Sequence, residues 1–160
     1  MWYFIWTSLF IGVVATVLID IWVYALNRIF GFPMTNWALA GRWFWHLPSG
    51  AIVHDDISKV APYQHERAVG WICHYAIGVA YAGILISIMP NWLSAPALLP
   101  AWIFGMATIL PGWFLLQPGM GLGFAASRRP NAWQIRCLNI MSHSVFAMGL
   151  YGAALLIRRS

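Results

Sequence analysis

The amino-acid sequence predicts an all-α membrane protein, with four transmembrane helices and a short interfacial helix between the first and the second. Two observations lead to this fold class. Of the 160 residues, 61% are hydrophobic and only 8% are charged, whereas a soluble domain carries roughly a quarter charged residues. Four stretches also approach the roughly 20 apolar residues that a helix needs to cross a bilayer. We therefore expect residues 1–160 to form a single transmembrane domain.

The four predicted spans are separated by prolines, glycines and charged residues. They run over about residues 2–26, 68–89, 98–116 and 132–157. The first lacks the basic flank and the cleavage site of a signal peptide, so we expect it to be retained. The third contains Pro111, which cannot donate a backbone hydrogen bond, and we expect a kink there. The fourth ends before Arg158 and Arg159.

The connection between the first two spans, residues 27–67, is the longest polar stretch of the chain. Within it, the segment Trp37–His46 has the composition of a helix that Thr35 or Asn36 would cap. The segment is too short to cross a bilayer. Its tryptophans suit the headgroup layer, where indole rings are favoured, so we predict that it lies at the interface.

Basic residues are concentrated on one side of this topology. The first and third connections share a side, and with the adjoining helix ends they hold seven of the nine Lys and Arg residues. Because the more basic side of a membrane protein usually faces the cytoplasm, both termini are predicted to be periplasmic. The net charge of +5 is then a sign of orientation. No basic stripe with interleaved aromatics is present, so we do not expect nucleic acid as a partner.

Three ionisable residues fall inside the predicted spans: Asp20, His74 and His143. All three lie in the cytoplasmic half of their spans. Residues four apart share a helix face, and each of the three lies on a face of small or polar residues. These faces are Gly12, Thr16, Asp20 and Tyr24; Gly70, His74, Gly78 and Ala82; and Asn139, His143, Ala147 and Tyr151. Small residues mark helix contacts in membranes, so we expect the three groups to point into the bundle and to meet there.

Such residues allow two interpretations. A charge at this depth costs about 2.5–3.5 kcal/mol or more and usually marks function. The alternative is that Asp20 bonds to His74, His143 or Arg42 and only ties the helices together. We favour a functional site in which Asp20, His74 and His143 are candidate catalytic residues. The sequence alone leaves open whether the protein is an enzyme.

Further candidates lie at the cytoplasmic side of the predicted bundle. Histidine and carboxylate side chains are common metal ligands, although their spacing here matches no specific zinc or di-iron signature. The candidate metal ligands are His46, His54, Asp55, His74 and His143. The candidate ligand-binding residues are Arg42, His46, Gln117 and Ser127. Structural roles are also open: Asp55 or Asp56 would cap a short helix through Lys59, and Glu66 would favour the start of the second span.

The loop after the third span is rich in glycine. Residues 117–123 read Gln-Pro-Gly-Met-Gly-Leu-Gly, and glycine lets a backbone turn sharply or approach a ligand. The loop lacks the lysine and the strand–helix context of a phosphate-binding loop. We therefore predict a re-entrant turn, and we expect Ser127–Pro130, with its two arginines, to meet anionic lipid headgroups.

Together these features resemble a family of small bacterial inner-membrane proteins known only as a domain of unknown function. The resemblance covers nearly the whole chain and implies a bacterial inner membrane and four spans, without an activity. It rests on Gly41-Arg42-Trp43, His46, His54-Asp55, Glu66-Arg67, Gly70-Trp71, His74-Tyr75, Gln117-Pro118-Gly119-Met120-Gly121, Ala126-Ser127, His143 and Gly149-Leu150-Tyr151.

Four functions remain open from the sequence. The favoured one is a membrane-embedded site that binds a metal ion or an apolar small molecule, with or without catalysis. The second is a b-type haem protein with His74 and His143 as axial ligands and Arg42, Arg67 or Arg136 at the propionates. The third is a small proton-coupled transporter, which would need a homo-oligomer because four helices leave little room for a path. The fourth is a structural partner of another membrane protein. The cofactor, a transition metal or haem if there is one, is not identified.

Overall fold

A computed structural model describes residues 1–158, and in this part of the chain all regular structure is helical. Four helices are long and apolar enough to cross a membrane, which confirms the predicted fold class. A fifth helix lies between the first two of them. In chain order the five are α1 (Trp2–Phe30), α2 (Trp37–His46), α3 (Glu66–Ile88), α4 (Leu98–Gly119) and α5 (Ala132–Ile157). Arg159, one of the two basic residues predicted to follow the fourth span, lies outside the described residues.

Many large apolar side chains on these helices are exposed. Ile72 is 68% exposed, Trp133 75% and Leu156 76%. In water such surfaces would drive aggregation. In a bilayer they are the lipid-facing surface, as expected for a multi-pass membrane protein.

Two helices, α1 and α4, continue by four and three residues beyond the predicted spans, and α3 is shifted from 68–89 to Glu66–Ile88. The helix α1 continues to Phe30 because Gly31, with a φ of 70°, closes its last turn by donating its backbone N–H to the carbonyl of Asn27. The helix α4 continues to Gly119, so the first part of the predicted glycine-rich turn is helical. The helix α4 is irregular on both sides of Pro111, where the sequence predicted only a kink. Thr108 interrupts the helix, and Gly112–Leu116 forms a π-helical turn before Pro118, which cannot donate to the carbonyl of Phe114.

The chain forms two compact units. Unit 1 consists of residues 1–34, 75–108 and 140–158, and unit 2 of residues 35–74 and 109–139. The interpretation of the chain as a single transmembrane domain stays a prediction.

Helices in unit 1 meet through small residues. A Cβ on Gly12 would overlap the backbone of Gly78 and Val79, so α1 and α3 are in backbone contact. In the same way Gly149 of α5 lies against Ala15 of α1. The small residues of the three predicted faces are buried as expected, but Tyr24 is 56% exposed. Tyr24 lies on the same face of α1 as Asp20, but the packed part of that face ends at Asp20.

The short helix α2 in unit 2 packs on the first turns of α3. Asn36 caps α2 by accepting hydrogen bonds from the backbone of Ala38 and Leu39, which selects one of the two predicted capping residues. The side chain of Asp56 caps a short 3₁₀ turn, Ile57–Lys59, as the sequence predicted. Its hydrogen bonds from the hydroxyl and the backbone N–H of Ser58 lower the pKa of Asp56.

Candidate functional site

Asp20 lies in unit 1 and accepts a hydrogen bond from the hydroxyl of Tyr75. The distance between Tyr75 Oη and Asp20 Oδ2 is 2.7 Å, within the range of strong O–H···O⁻ bonds. Because α1 and α3 are in backbone contact at Gly12, the two side chains face each other across a short gap. Both are only partly buried. The sequence analysis assigned Tyr75 no role, although Tyr75 belongs to the His74-Tyr75 pair on which the family resemblance rests.

His143 is held by two groups of α4, also in unit 1. Its Nδ1 lies 2.8 Å from Thr108 Oγ1 and 3.2 Å from the carbonyl oxygen of Gly105. The Thr108 hydroxyl donates to the same carbonyl at 2.7 Å, so its hydrogen is already committed. We therefore assign the proton of the imidazole to Nδ1, which leaves the lone pair on Nε2. Thr108 lies at the break in α4, and its bond to the Gly105 carbonyl orients its hydroxyl.

Asp20 and His143 lie at similar levels along their helices. The first and fourth spans of a four-span protein run antiparallel, and here they meet where Gly149 lies against Ala15. Asp20 lies five residues after Ala15 on α1, and His143 lies six residues before Gly149 on α5. At a rise of 1.5 Å per residue, both side chains are therefore about 8–9 Å from the contact, on the same side of it. This register agrees with the similar depth expected from the sequence.

His74 belongs to unit 2, where aromatic rings surround it. Its ring centroid is 4.0 Å from that of Trp37 and 5.8 Å from that of Trp71. Trp37 is the first residue of α2, so this interaction connects α2 to α3. A meeting of His74 with Asp20 and His143 stays a prediction.

Arg42, a predicted ligand-binding residue, is instead engaged within unit 2. Its Nε and Nη2 donate to the two carboxylate oxygens of Glu66 at 2.7 and 3.0 Å, and its Nη1 donates to the carbonyls of Ile57, Ser58 and Val60. The side chains of Arg42 and Glu66 are only 7% and 14% exposed. The hydrogen bond to Glu66 raises the pKa of Arg42. Arg42 thus joins α2, the following loop and α3, which indicates a structural role.

His46 and His54 are brought together, while Asp55 is not part of their cluster. The two ring centroids are 5.4 Å apart with planes at 65°. Asp55 is exposed. Among residues 1–158 no group of three or more His, Cys, Asp or Glu side chains is arranged to hold a metal ion. The predicted set of five metal ligands is therefore not assembled in the described chain.

Gln117 lies in a polar cluster between α4 and α5 in unit 2. Its Nε2 and the indole N–H of Trp113 both donate to Asn139 Oδ1, at 3.1 and 2.9 Å. Gln117 Oε1 is buried and lacks a hydrogen-bond partner among the described residues. Ser127, the other predicted ligand-binding residue of this region, is exposed.

The glycine-rich loop packs on the connection before α3. The backbone N–H groups of His54 and Ile57 donate to the carbonyls of Gly119 and Met120 at 2.9 and 3.1 Å. Gly121, with a φ of 86°, fits against the backbone at Asp55, where no side chain has room. The loop then turns sharply through Ala125 and Ala126, both with positive φ. The Nε of Arg136 donates to the carbonyl of Ala125, which occupies one of the arginines proposed for haem propionates.

Comparison with known proteins identifies a family for the chain. A family model described as "Protein of unknown function (DUF2938)" matches residues 9–157. Neither the curated proteins nor the solved structures contain a match to the chain. Because the family model covers nearly the whole sequence, the chain belongs to the family described as DUF2938.

Proposed function

We propose that the protein binds an apolar small molecule with a hydrogen-bonding head inside the bacterial inner membrane, with Asp20 and His143 at the polar end of the site. The observation that carries this proposal is the 2.7 Å hydrogen bond between Tyr75 and Asp20 on two of the apolar helices.

The cost of these groups supports a functional role over a purely structural one. A carboxylate in the apolar layer costs about 2.5–3.5 kcal/mol or more. Neutral hydrogen bonds between membrane helices contribute on average only about 0.6 kcal/mol. A serine or asparagine would tie α1 to α3 without the cost of the charge. A charged aspartate is therefore energetically unfavourable if its only role is to join α1 to α3. Because Asp20 is only partly buried, a molecule in the bilayer can reach it.

The hydrogen-bonding chemistry of Asp20 and His143 defines the class of ligand. Asp20 accepts hydrogen bonds, and so does Nε2 of His143 when Nδ1 carries the proton. The ligand would therefore present a donor, such as a hydroxyl group, on an apolar body. Dissolved in lipid, it would enter between the helices without crossing water.

A photoreactive fatty alcohol that carries a diazirine and an alkyne tests this proposal. We expect it to label wild-type protein in membranes at peptides of α1, α3 or α5 near Asp20, Tyr75 and His143. Labelling there should fall several-fold in Asp20→Asn and His143→Gln. Asparagine offers the hydroxyl a weaker, neutral acceptor in place of the carboxylate, and glutamine lacks the imidazole Nε2.

The matched control is Asp56→Asn, the same chemical change at a loop residue, which should label like the wild type. The thermal melting curve and the chromatographic elution profile of each purified variant show that it is folded. Labelling that is spread evenly over the lipid-facing helices, or that is unchanged in both site variants, contradicts the proposal.

The proposed orientation has its own test. Exposed basic residues lie in the last turn of α1 (Arg28), before and in the first turn of α3 (Lys59 and Arg67) and before α5 (Arg128 and Arg129). This supports a cytoplasmic location for the first and third connections. With the free Cys73 and Cys137 replaced by alanine, a cysteine is introduced at exposed Ala95 or exposed Gln64. A membrane-impermeant maleimide should label Ala95→Cys in intact cells, and Gln64→Cys only after the inner membrane is permeabilised. The reverse labelling pattern would mean that the protein has the opposite orientation. Labelling of both Ala95→Cys and Gln64→Cys in intact cells would contradict the four-span topology.

A further inference from the structure

We propose that His46 and His54 in unit 2 bind one divalent transition-metal ion. These residues are separate from Asp20 and His143, so this site stands or falls independently of the proposed function.

The separation of the two rings suits a shared ion. A zinc–imidazole bond is about 2.0–2.1 Å long, which puts the ring centre about 3.2 Å from the metal, and two such rings at a tetrahedral angle have centres about 5.3 Å apart. The observed separation is 5.4 Å.

A backbone carbonyl orients one of the two imidazoles. His54 Nδ1 lies 3.3 Å from the carbonyl oxygen of Gly119, and the backbone N–H of His54 donates to the same oxygen at 2.9 Å. With Nδ1 as the donor, Nε2 carries the lone pair that binds a metal. Metal-binding histidines usually donate their second ring N–H in this way. The carbonyl is fixed in place, because Gly119 packs so closely on the Trp43 indole that a Cβ has no room.

The second imidazole is placed by the end of α2. His46 is the last residue of that helix, and its carbonyl accepts a hydrogen bond from Ser49 Oγ at 2.7 Å. The loop from His46 to His54 therefore starts and ends at fixed points, with both rings only partly buried and open to an ion. Water or an external ligand would complete the coordination, since the described residues supply no third ligand of the usual kinds. Imidazole favours Cu²⁺, Ni²⁺ and Zn²⁺ over Mg²⁺ and Ca²⁺.

The test is titration calorimetry of the full chain in detergent, after chelation and without a polyhistidine tag. We expect Zn²⁺ and Ni²⁺ to bind at one ion per chain, with no saturable binding of Mg²⁺. His46→Ala and His54→Phe should each weaken binding by about tenfold or more, because changes around a bound metal already cost 10–100-fold. His54→Phe keeps an aromatic ring for packing, so its melting temperature should stay near that of the wild type.

The matched control is His65→Ala, which removes an exposed histidine of the same connection and should bind like the wild type. The absence of saturable Zn²⁺ binding in the wild type, or affinities in both site variants equal to the wild type, would show an aromatic pair only. An equal loss in His65→Ala would show non-specific binding and would also overturn the proposal.

Discussion

Replacing Arg42 with methionine is expected to lower the free energy of unfolding by about 3–5 kcal/mol, the largest effect we predict for a single side chain. The loss leaves the Glu66 carboxylate, only 14% exposed, without its bidentate partner. It also removes the donor to three backbone carbonyls of residues 57–60. Unfolding by SDS in mixed micelles, followed by tryptophan fluorescence, measures the change.

Two further variants separate the cost of a buried unpaired charge from the value of the pair. The double variant Arg42→Met, Glu66→Met should recover part of the lost stability, because it leaves no isolated charge. Arg42→Lys keeps the charge but cannot form the two-pronged contact, so it should lie between the wild type and Arg42→Met.

Lys59→Met is the control, since Lys59 is 83% exposed and lies 3.9 Å from Asp56. An exposed ion pair of this kind contributes little, so the unfolding midpoint of Lys59→Met should hardly move. A midpoint for Arg42→Met equal to that of Lys59→Met would show that the Arg42–Glu66 pair has no structural role.

The spans and their packing faces were predictable because they depend on local properties of the chain. Twenty apolar residues set the length of a span, and a period of 3.6 places Gly12 and Thr16 on one face, where the structure buries both. The caps at Asn36 and Asp56 are equally local, because each side chain binds backbone within three residues.

The partners of the polar side chains were not predictable in the same way. Arg42 pairs with Glu66 across 24 residues of sequence, and periodicity carries no information about such a contact. From the sequence, Arg42 was predicted to bind a ligand or to bond to Asp20, and Glu66 was predicted to interact with the dipole of α3. Thr108, which contacts His143, lies where α4 is interrupted, an irregularity that Pro111 indicated only in part.

Close contact between α2 and α3 gives the second large effect. A Cβ on Gly41 would overlap the carbonyl of Glu66, and a Cβ on Gly70 would overlap the carbonyl of Trp37. Backbone cannot move aside as a side chain does, so Gly41→Ala and Gly70→Ala should each cost at least about 1–3 kcal/mol, the usual range for overpacking.

Gly152→Ala is the matched control, because Gly152 lies within α5 with no atom within 4 Å of the added Cβ. There alanine should stabilise the helix by about 0.5–1 kcal/mol, since glycine loses more backbone freedom on folding. The same substitution is thus expected to have opposite signs at Gly41 and Gly152 in the SDS titration. Because Gly41 faces the residue that binds Arg42, Gly41→Ala combined with Arg42→Met should cost less than the sum of the two. Stabilisation by Gly41→Ala and Gly70→Ala would mean that α2 and α3 are not in backbone contact.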